Sequence, residues 1–307
     1  MDSAYWLQQF LNACQLASFY VPLAIAFMLI QAITGRVFLS FGDFTMFASF
    51  AAVYGSLALL LQGYGSWLIL AVSLLLSVSC ASALAYPAAH FVFQPLLKRS
   101  NQAFMISCIG LSLVLQEVMR IQSSSKDQWL PPLVPNTGIE LLSGQFPVRI
   151  TLMAAIVMTI SGLTILTSYY LLRHTPFGKY WSATCESEKL ASLCGLDTEM
   201  IFRLTCMISA GFAAVSGWIL AVSYGGANYN MGLMLGFKAM FASVIGGFGT
   251  LRGAVIGGAA LAFLEVLWSA FFPLAYRDVG VFAFIILILI LRPEGLAGLG
   301  QRRESEA

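Results

Sequence analysis

The sequence predicts an all-α, polytopic membrane protein: a bundle of about nine transmembrane helices, within a range of eight to ten. Hydrophobic residues make up 59% of the 307 residues, charged residues make up 10%, and the mean hydropathy is +0.83. A soluble domain carries roughly 25% charged residues. The apolar residues also form runs near the length of about 20 residues that a bilayer-crossing helix needs. We therefore expect a single transmembrane domain over residues 1–307.

Nine apolar runs are the candidate spans. They cover residues 11–34, 40–61, 67–92, 103–121, 151–172, 204–224, 235–246, 253–272 and 279–291. The residues before the first run contain Asp2 but no Lys or Arg, so this run is interpreted as a retained span and not as a signal peptide. The seventh and ninth runs are short for a full crossing. For the seventh, a short crossing and a re-entrant or broken segment are both open, since irregular backbone is tolerated where other helices bury it.

The distribution of basic residues orients the spans, because cytoplasmic loops are enriched in Lys and Arg. With alternating spans, eleven basic residues fall on one side: Arg36, Lys98, Arg99, Arg173, Lys179, Lys189, Arg203, Arg252, Arg292, Arg302 and Arg303. Four fall on the other side: Arg120, Lys126, Arg149 and Arg277. The prediction is an N-terminus outside and a C-terminus in the cytoplasm.

Two longer hydrophilic segments separate the spans. Residues 122–148 are predicted outside, and Pro131, Pro132 and Pro135 predict a loop with little regular structure. Residues 173–203 are predicted cytoplasmic. The sequence has no G-x-x-x-x-G-K-[ST] motif, so no cofactor is expected and any ATP must be bound elsewhere. The net charge of +2 does not suggest nucleic acid, and the spacing of the six cysteines predicts neither a metal site nor a disulfide.

The segment 173–203 contains signals for two short helices. Thr175 is a plausible N-cap, with Pro176 at the first helical position. Residues 187–194 form a second candidate helix, with Glu186 and Glu188 at its positive end and Gly195 placed to close it.

The second of these helices needs a partner for its apolar face. Leu190 and Leu193 are three residues apart and therefore share a face. A helix this short has no stability of its own in water. Two interpretations are open: the helix folds back on the membrane surface or on neighbouring loops, or it docks into a groove of a soluble cytoplasmic protein.

Several motifs resemble one known family. The run T-P-F-G-K (175–179) followed by E-S-E-K-L-A-S-L-C-G-L (186–196) is similar to the coupling loop of permeases of branched-chain amino acid ABC importers, the LivH/LivM family. The run G-G-F-G-T-L-R-G-A-V-I-G-G (246–258), with Glu265 in the following helix, resembles the glycine-rich segment of that family, and R-P-E-G-L (292–296) resembles its C-terminal motif. Gly42-Asp43-Phe44 also agrees, whereas Phe41 stands where the family usually has histidine.

The resemblance implies an inner-membrane permease that is not itself an enzyme. Its expected partners are two cytoplasmic ABC ATPase subunits, a second related permease, most simply a different chain, and a periplasmic binding protein that delivers a small polar substrate. Branched-chain amino acids are the family default, with urea, short amides and other amino acids as alternatives. The residues expected to couple to the ATPases are Thr175, Pro176, Phe177, Gly178, Glu186, Glu188, Leu190, Leu193 and Gly195.

The glycines of the segment 246–258 are interpreted as packing and turn residues. Gly253 and Gly257 form a G-x-x-x-G pair on one helix face, which favours close helix packing over a ligand role. Gly246, Gly247 and Gly249 join two spans and are expected to form a hinge or a tight turn.

Ionisable side chains inside spans are expensive and usually face a partner or a cavity. Asp43 is expected to be either an interfacial N-cap or, with Gly42, part of the translocation pathway. Glu117 is expected to pair with Arg120. Lys238 would either snorkel or pair with an acid, and Glu265 would serve an ion pair or the pathway.

Two rival functions remain at the level of the sequence. A self-sufficient secondary transporter would need two repeated halves and ion-coordinating residues in broken helices, and no clear repeat is found. A membrane-embedded scaffold or enzyme is the other rival, although the isolated His90 and His174 lack a nucleophile at useful spacing.

Overall fold

The computed structural model of the chain describes residues 3–38, 40–97, 99–134, 138–142, 148–247 and 249–291. Within them nearly all secondary structure is helical, which confirms the predicted all-α fold. Eight helices of this part of the chain are long and apolar enough to cross a membrane, and a ninth apolar helix is shorter. Asp2, Lys98, Pro135 and the predicted C-terminal motif at 292–296 lie outside the described residues.

The helices follow the nine predicted runs, with two more in the segment 173–203. They are α1 (Ser3–Thr34), α2 (Phe41–Leu61), α3 (Ser66–Pro87), α4 (Gln94–Leu97), α5 (Asn101–Gln122), α6 (Leu152–His174), α7 (Pro176–Glu186), α8 (Glu188–Leu193), α9 (Thr198–Tyr224), α10 (Met231–Gly246), α11 (Leu251–Phe271) and α12 (Arg277–Leu291). A π-helical segment (Ala88–Phe93) joins α3 to α4, so that these pieces form one span. A 3-10 turn (Leu274–Tyr276) precedes α12.

Residues 122–148 contain strands, so the prediction of little regular structure there is wrong. The strands are β1 (Gln128–Trp129), β2 (Gly138–Leu142), β3 (Val148–Thr151) and β4 (Gly226–Ala227). They form two antiparallel pairs, β1 with β4 and β2 with β3. Strands this short show no recognisable alternation of apolar and polar residues. The partner of β1 also lies about a hundred residues away along the chain, so no local pattern predicts the pair. The pairs place the ends of α5 and α9 and the beginnings of α6 and α10 on one side of the bundle, the strand-bearing side.

Helix α10 is one continuous helix, so the seventh run is not broken within it; it is shorter than the eight helices that are long enough to cross a membrane. It begins after β4 on the strand-bearing side, and beyond its end Gly249 lies near the side chain of Ala32, close to the opposite end of α1. Its 16 residues span about 24 Å, less than the roughly 30 Å of a hydrocarbon core. The sequence left a break open because the run is short, whereas neighbouring helices bury much of the continuous helix.

Helix α1 is the central helix of the bundle. Its residues 19–30 are all buried, and it packs against α6, α9, α10 and α11. A helix that is apolar on every face is expected in such a position.

Small residues and serines hold α2, α3 and α9 together. Ala48, Ala81 and Ala214 form a buried cluster of one residue from each helix. Ser77 Oγ donates to the carbonyl of Ala48 at 2.8 Å, and Ser49 Oγ donates to the carbonyl of Gly217 at 2.8 Å. In lipid, close backbone approach and hydrogen bonds of this kind replace the hydrophobic effect as the source of helix association.

Candidate functional site

The segment between α6 and α9 forms a rigid elbow whose turns match the sequence prediction. Thr175 caps α7, and its Oγ1 accepts a hydrogen bond from the Gly178 amide at 3.4 Å. Ser187 caps α8 by accepting a bond from the Leu190 amide at 3.3 Å. Gly195 has φ +84°, a left-handed conformation that closes α8 and suits a residue without a Cβ.

Helix α7 is anchored to the centre of the protein. The Trp181 indole Nε1 donates to the carbonyl of Leu29 in α1 at 3.2 Å, and the Trp181 side chain is buried. Gly178 packs so closely on α6 that a Cβ there would fall inside contact distance of the Leu172 backbone. Phe177 packs against the core. The sequence reasoning missed Trp181, although a tryptophan in a polar segment is a readable signal of an anchor.

Helix α8 presents its predicted apolar face outward. Leu190 is 64% exposed and Leu193 is 83% exposed, while Ala191 between them is buried. Most of the surface of this exposed leucine pair is not covered by the described parts of the chain, which argues against packing on neighbouring loops and leaves the membrane surface and a soluble partner as interpretations. Glu188 lies in the first turn of α8, whereas Glu186 ends α7.

Helix α9, which follows α8 directly, is tied to the third span near the same side of the bundle. Arg203 Nη1 lies 3.0 Å from His90 Nδ1, which in turn lies 3.2 Å from Gln94 Oε1. Gln94 also donates to Glu199. These polar contacts connect the start of α9 to the end of the third span.

Cysteine reactivity tests the predicted orientation of this segment. Cys194 is exposed at the end of α8, so an impermeant maleimide at pH 7 is expected to label it in inside-out vesicles only. Cys185 is expected to stay unlabelled, because burial, with a contribution from Glu186, raises the pKa of its thiol to about 12. Its thiolate is therefore scarce at pH 7. Peptide mapping would locate the label, and labelling of Cys194 from the outer face would reverse the orientation.

A network of charges, centred on the buried Lys238 and Glu265, joins α1, α10, α11 and α12. Lys238 Nζ lies 3.0 Å from Glu265 Oε1 and 3.0 Å from Asp278 Oδ1. Arg277 Nε lies 3.0 Å from Glu265 Oε1. The Tyr20 hydroxyl donates to Glu265 and accepts from Lys238 Nζ at 3.2 Å. Lys238 thus pairs with acids and does not snorkel. We call these five residues the ion network.

The sequence predicted only part of the ion network. Lys238 and Glu265 stood out because they interrupt apolar runs, and both are buried. Tyr20, Arg277 and Asp278 were missed, since nothing local relates Tyr20 to a carboxylate 245 residues further along the chain. The predicted Glu117–Arg120 pair is present, at 2.6 Å on the exposed face of α5.

Asp43 lies inside the bundle, which excludes an interfacial cap. Its side chain is fully buried, and Oδ1 accepts a hydrogen bond from Gln116 Nε2 at 2.9 Å. Gln116 is in the last third of α5, towards the strand-bearing side, and Gly232 in the first turn of α10 packs against Asp43. The other carboxylate oxygen, Oδ2, has no hydrogen-bond partner among the described residues.

Glycines let α10 approach helices on two sides. Gly42 in α2 faces Gly232 and Gly236 so closely that a Cβ would fall under 3.0 Å from their backbone atoms. On the other side, Gly246 faces Gly253 and Gly257 faces Ala242 at similarly short range. The predicted close packing at the G-x-x-x-G pair is therefore an intramolecular α10–α11 contact. Two of the glycines between these helices have left-handed backbones, Gly247 (φ +98°) and Gly249 (φ +78°), as a tight turn requires.

Metal-binding residues do not cluster in the described part of the chain. The described residues hold no group of three His, Cys, Asp or Glu side chains that could bind a metal ion.

Comparisons with known proteins agree with this architecture. The family model described as the permease component of the branched-chain amino acid transport system matches residues 9–291. The chain is 34% identical over 295 residues to the high-affinity branched-chain amino acid transport system permease protein LivH of Salmonella typhimurium, covering 96% of each chain. The LivH protein of Escherichia coli (strain K12) is 33% identical and the BraD protein of Pseudomonas aeruginosa 29% identical, each with the same 96% coverage. The chain therefore belongs to the family of branched-chain amino acid transport permeases, and it is a multi-pass protein of the bacterial inner membrane.

Proposed function

We propose that this chain is one of two membrane permease subunits of an ABC importer for branched-chain amino acids. Family membership supports the substrate class, and the exposed leucine pair on α8 supports docking to separate ATPase subunits. ATP hydrolysis belongs to those subunits, and a periplasmic binding protein delivers the substrate to the strand-bearing side.

In this proposal the elbow formed by α7 and α8 is the coupling element. Two leucines that the other described parts of the chain leave mostly exposed form an apolar patch on a short helix, which suits insertion into a groove of a soluble partner. Because Trp181 ties α7 to α1, movement of the docked ATPases would move α1 with it. Such movement would rock the spans between inward-open and outward-open states.

The leucine pair provides the test. Changing both Leu190 and Leu193 to aspartate is expected to weaken ATPase binding by about 3–6 kcal/mol, since burying each leucine contributes about 1.5–3 kcal/mol. ATPase subunits that co-purify with the wild-type chain in mild detergent would then be lost, and leucine uptake would stop.

Ser192→Asp is the matched control, because it adds a negative charge to an exposed position of the same helix away from the leucine pair. Assembly of this variant should be close to normal. Normal assembly and uptake of the double leucine variant would contradict the docking role.

The proposed pathway residues are Gly42, Asp43, Lys238 and Glu265. Asp43 has an unpartnered carboxylate oxygen, and the ion network connects α10 with the helices around it. A pathway with few charges would bind its substrate weakly, which is what allows rapid release.

A further inference from the structure

A cavity of about 250 Å³ lies on the strand-bearing side, between α1, α9, α11 and α12. Asn12 lines it one helical turn from Gln8, whose side chain bonds to the backbone of Arg149 in β3. Tyr224, another lining residue, directly precedes the turn into β4. This cavity, which we call the outer cavity, therefore opens towards the predicted periplasmic side. Pockets for drug-sized ligands measure roughly 300–1,000 Å³, so its size favours a smaller ligand.

The lining of the outer cavity includes a cation. Arg277 lines it, and its Nε lies 3.0 Å from Glu265. Both ion pairs found for Arg277 within the described ranges use Nε and not the terminal amino groups, and the side chain is 38% exposed. A guanidinium with free amino groups is suited to bind a carboxylate.

Other lining residues of the outer cavity match the side chain and the ammonium group of an aliphatic amino acid. Leu16, Ile219 and Val266 supply an aliphatic surface. Gln15 also lines the cavity and offers an amide oxygen to an ammonium group. A charged carboxylate, a hydrogen-bonding ammonium and an aliphatic side chain would each meet a matching group.

We propose that the outer cavity is a low-affinity binding site for aliphatic amino acids, in which Arg277 binds the carboxylate. The proposal rests on the proposed function and assigns a place to its substrate. Arg277 also forms an ion pair with Glu265, so its affinity for a ligand carboxylate is low. Substrate released by a binding protein would bind there briefly before it moves inward. The ion network connects this site to α10, because Arg277 contacts Glu265 and Glu265 contacts Lys238.

The test uses the assembled transporter in lipid nanodiscs, with Asn12→Cys as a reporter in the lining of the cavity. Cys14, Cys80, Cys185 and Cys194 are changed to serine, while the buried Cys108 and Cys206 remain. The labelling rate with a small methanethiosulfonate is then measured. Millimolar leucine is expected to slow labelling several-fold, whereas leucinol, which lacks the carboxylate, is expected to leave it unchanged.

Arg277→Gln is expected to abolish the protection by leucine, and Arg277→Lys to retain part of it. Arg120→Gln is the matched control, because Arg120 is an exposed arginine of α5 that pairs locally with Glu117. Its protection by leucine should equal that of the parent. The comparison of leucine with leucinol needs no change at Arg277, so it decides the question even if Arg277 variants fail to assemble.

The remaining outcomes separate this site from the proposed function. Unchanged labelling with leucine, in a transporter that carries leucine, overturns the site alone. An assembled transporter that carries no leucine overturns the proposed substrate. An anionic phospholipid offers the same chemistry as an amino acid carboxylate with an aliphatic chain. Labelling that depends on the phosphatidylglycerol content of the nanodisc but not on leucine assigns the cavity to lipid and overturns the proposal.

Discussion

Replacing Gly257 with alanine is expected to destabilise the folded protein by about 3 kcal/mol, the upper end of the usual cost of overpacking. The added Cβ would fall under 3.0 Å from the carbonyl oxygen of Ala242 and the amide of Gly246, both backbone atoms of α10. No side-chain rotation relieves such a contact. Helix α10 cannot retreat either, because Gly42 holds its other side against α2.

Thermal unfolding in detergent measures this effect, and the chain offers a matched control. Gly162 in α6 is also helical, but an added Cβ there meets no atom within 4 Å. Gly162→Ala is expected to be neutral or to stabilise the helix by up to about 1 kcal/mol, the difference in helix propensity. Equal unfolding temperatures for the two variants would show that α10 and α11 are not in close contact.

Replacing Glu265 with glutamine is expected to destabilise the protein by about 3–5 kcal/mol, the usual cost of breaking a buried ion pair. Glu265 contacts both Lys238 and Arg277, so its loss leaves two cations that share only Asp278. Lys238→Met is expected to have a smaller effect, because Glu265 keeps Arg277 and the Tyr20 hydroxyl.

A double-mutant cycle with Lys238→Met and Glu265→Leu isolates the interaction between the two side chains. The double variant is expected to recover part of the loss, since replacing both buried charges by apolar groups is often neutral. Glu117→Gln, which breaks an exposed pair, should cost about 0–1 kcal/mol. If Glu265→Gln unfolds like Glu117→Gln, the ion network does not stabilise the bundle.

The parts of the fold that the sequence predicts are those with a local physical cause. Spans follow from the length of an apolar run, and the caps at Thr175 and Ser187 follow from the side chains that compete for free backbone amides. The continuity of α10 depends on glycine contacts with α2 and α11, which no single run displays. The predicted orientation of the termini stays a prediction.

In the candidate site too, the sequence predicts the features with a local cause and misses those that depend on distant contacts. The exposed leucine pair is readable because both leucines lie on one short helix. The ion network joins side chains from four helices, and the burial of Asp43 depends on Gln116 in α5, which the sequence gives no reason to pair with it. Burial of this kind follows from tertiary packing, and a single sequence does not contain that information locally.

The hydrogen bond from Trp181 to Leu29 has a mechanical consequence. Helix α1 has 32 residues and is about 48 Å long, and along it lie Leu29, Tyr20 of the ion network and Gln15 of the outer cavity. One helix therefore contacts the elbow, the ion network and the outer cavity. Under the proposed function, a movement of the elbow would reach the outer cavity along this helix. Pro22, which removes one backbone hydrogen bond between the two ends, is where this helix bends most easily.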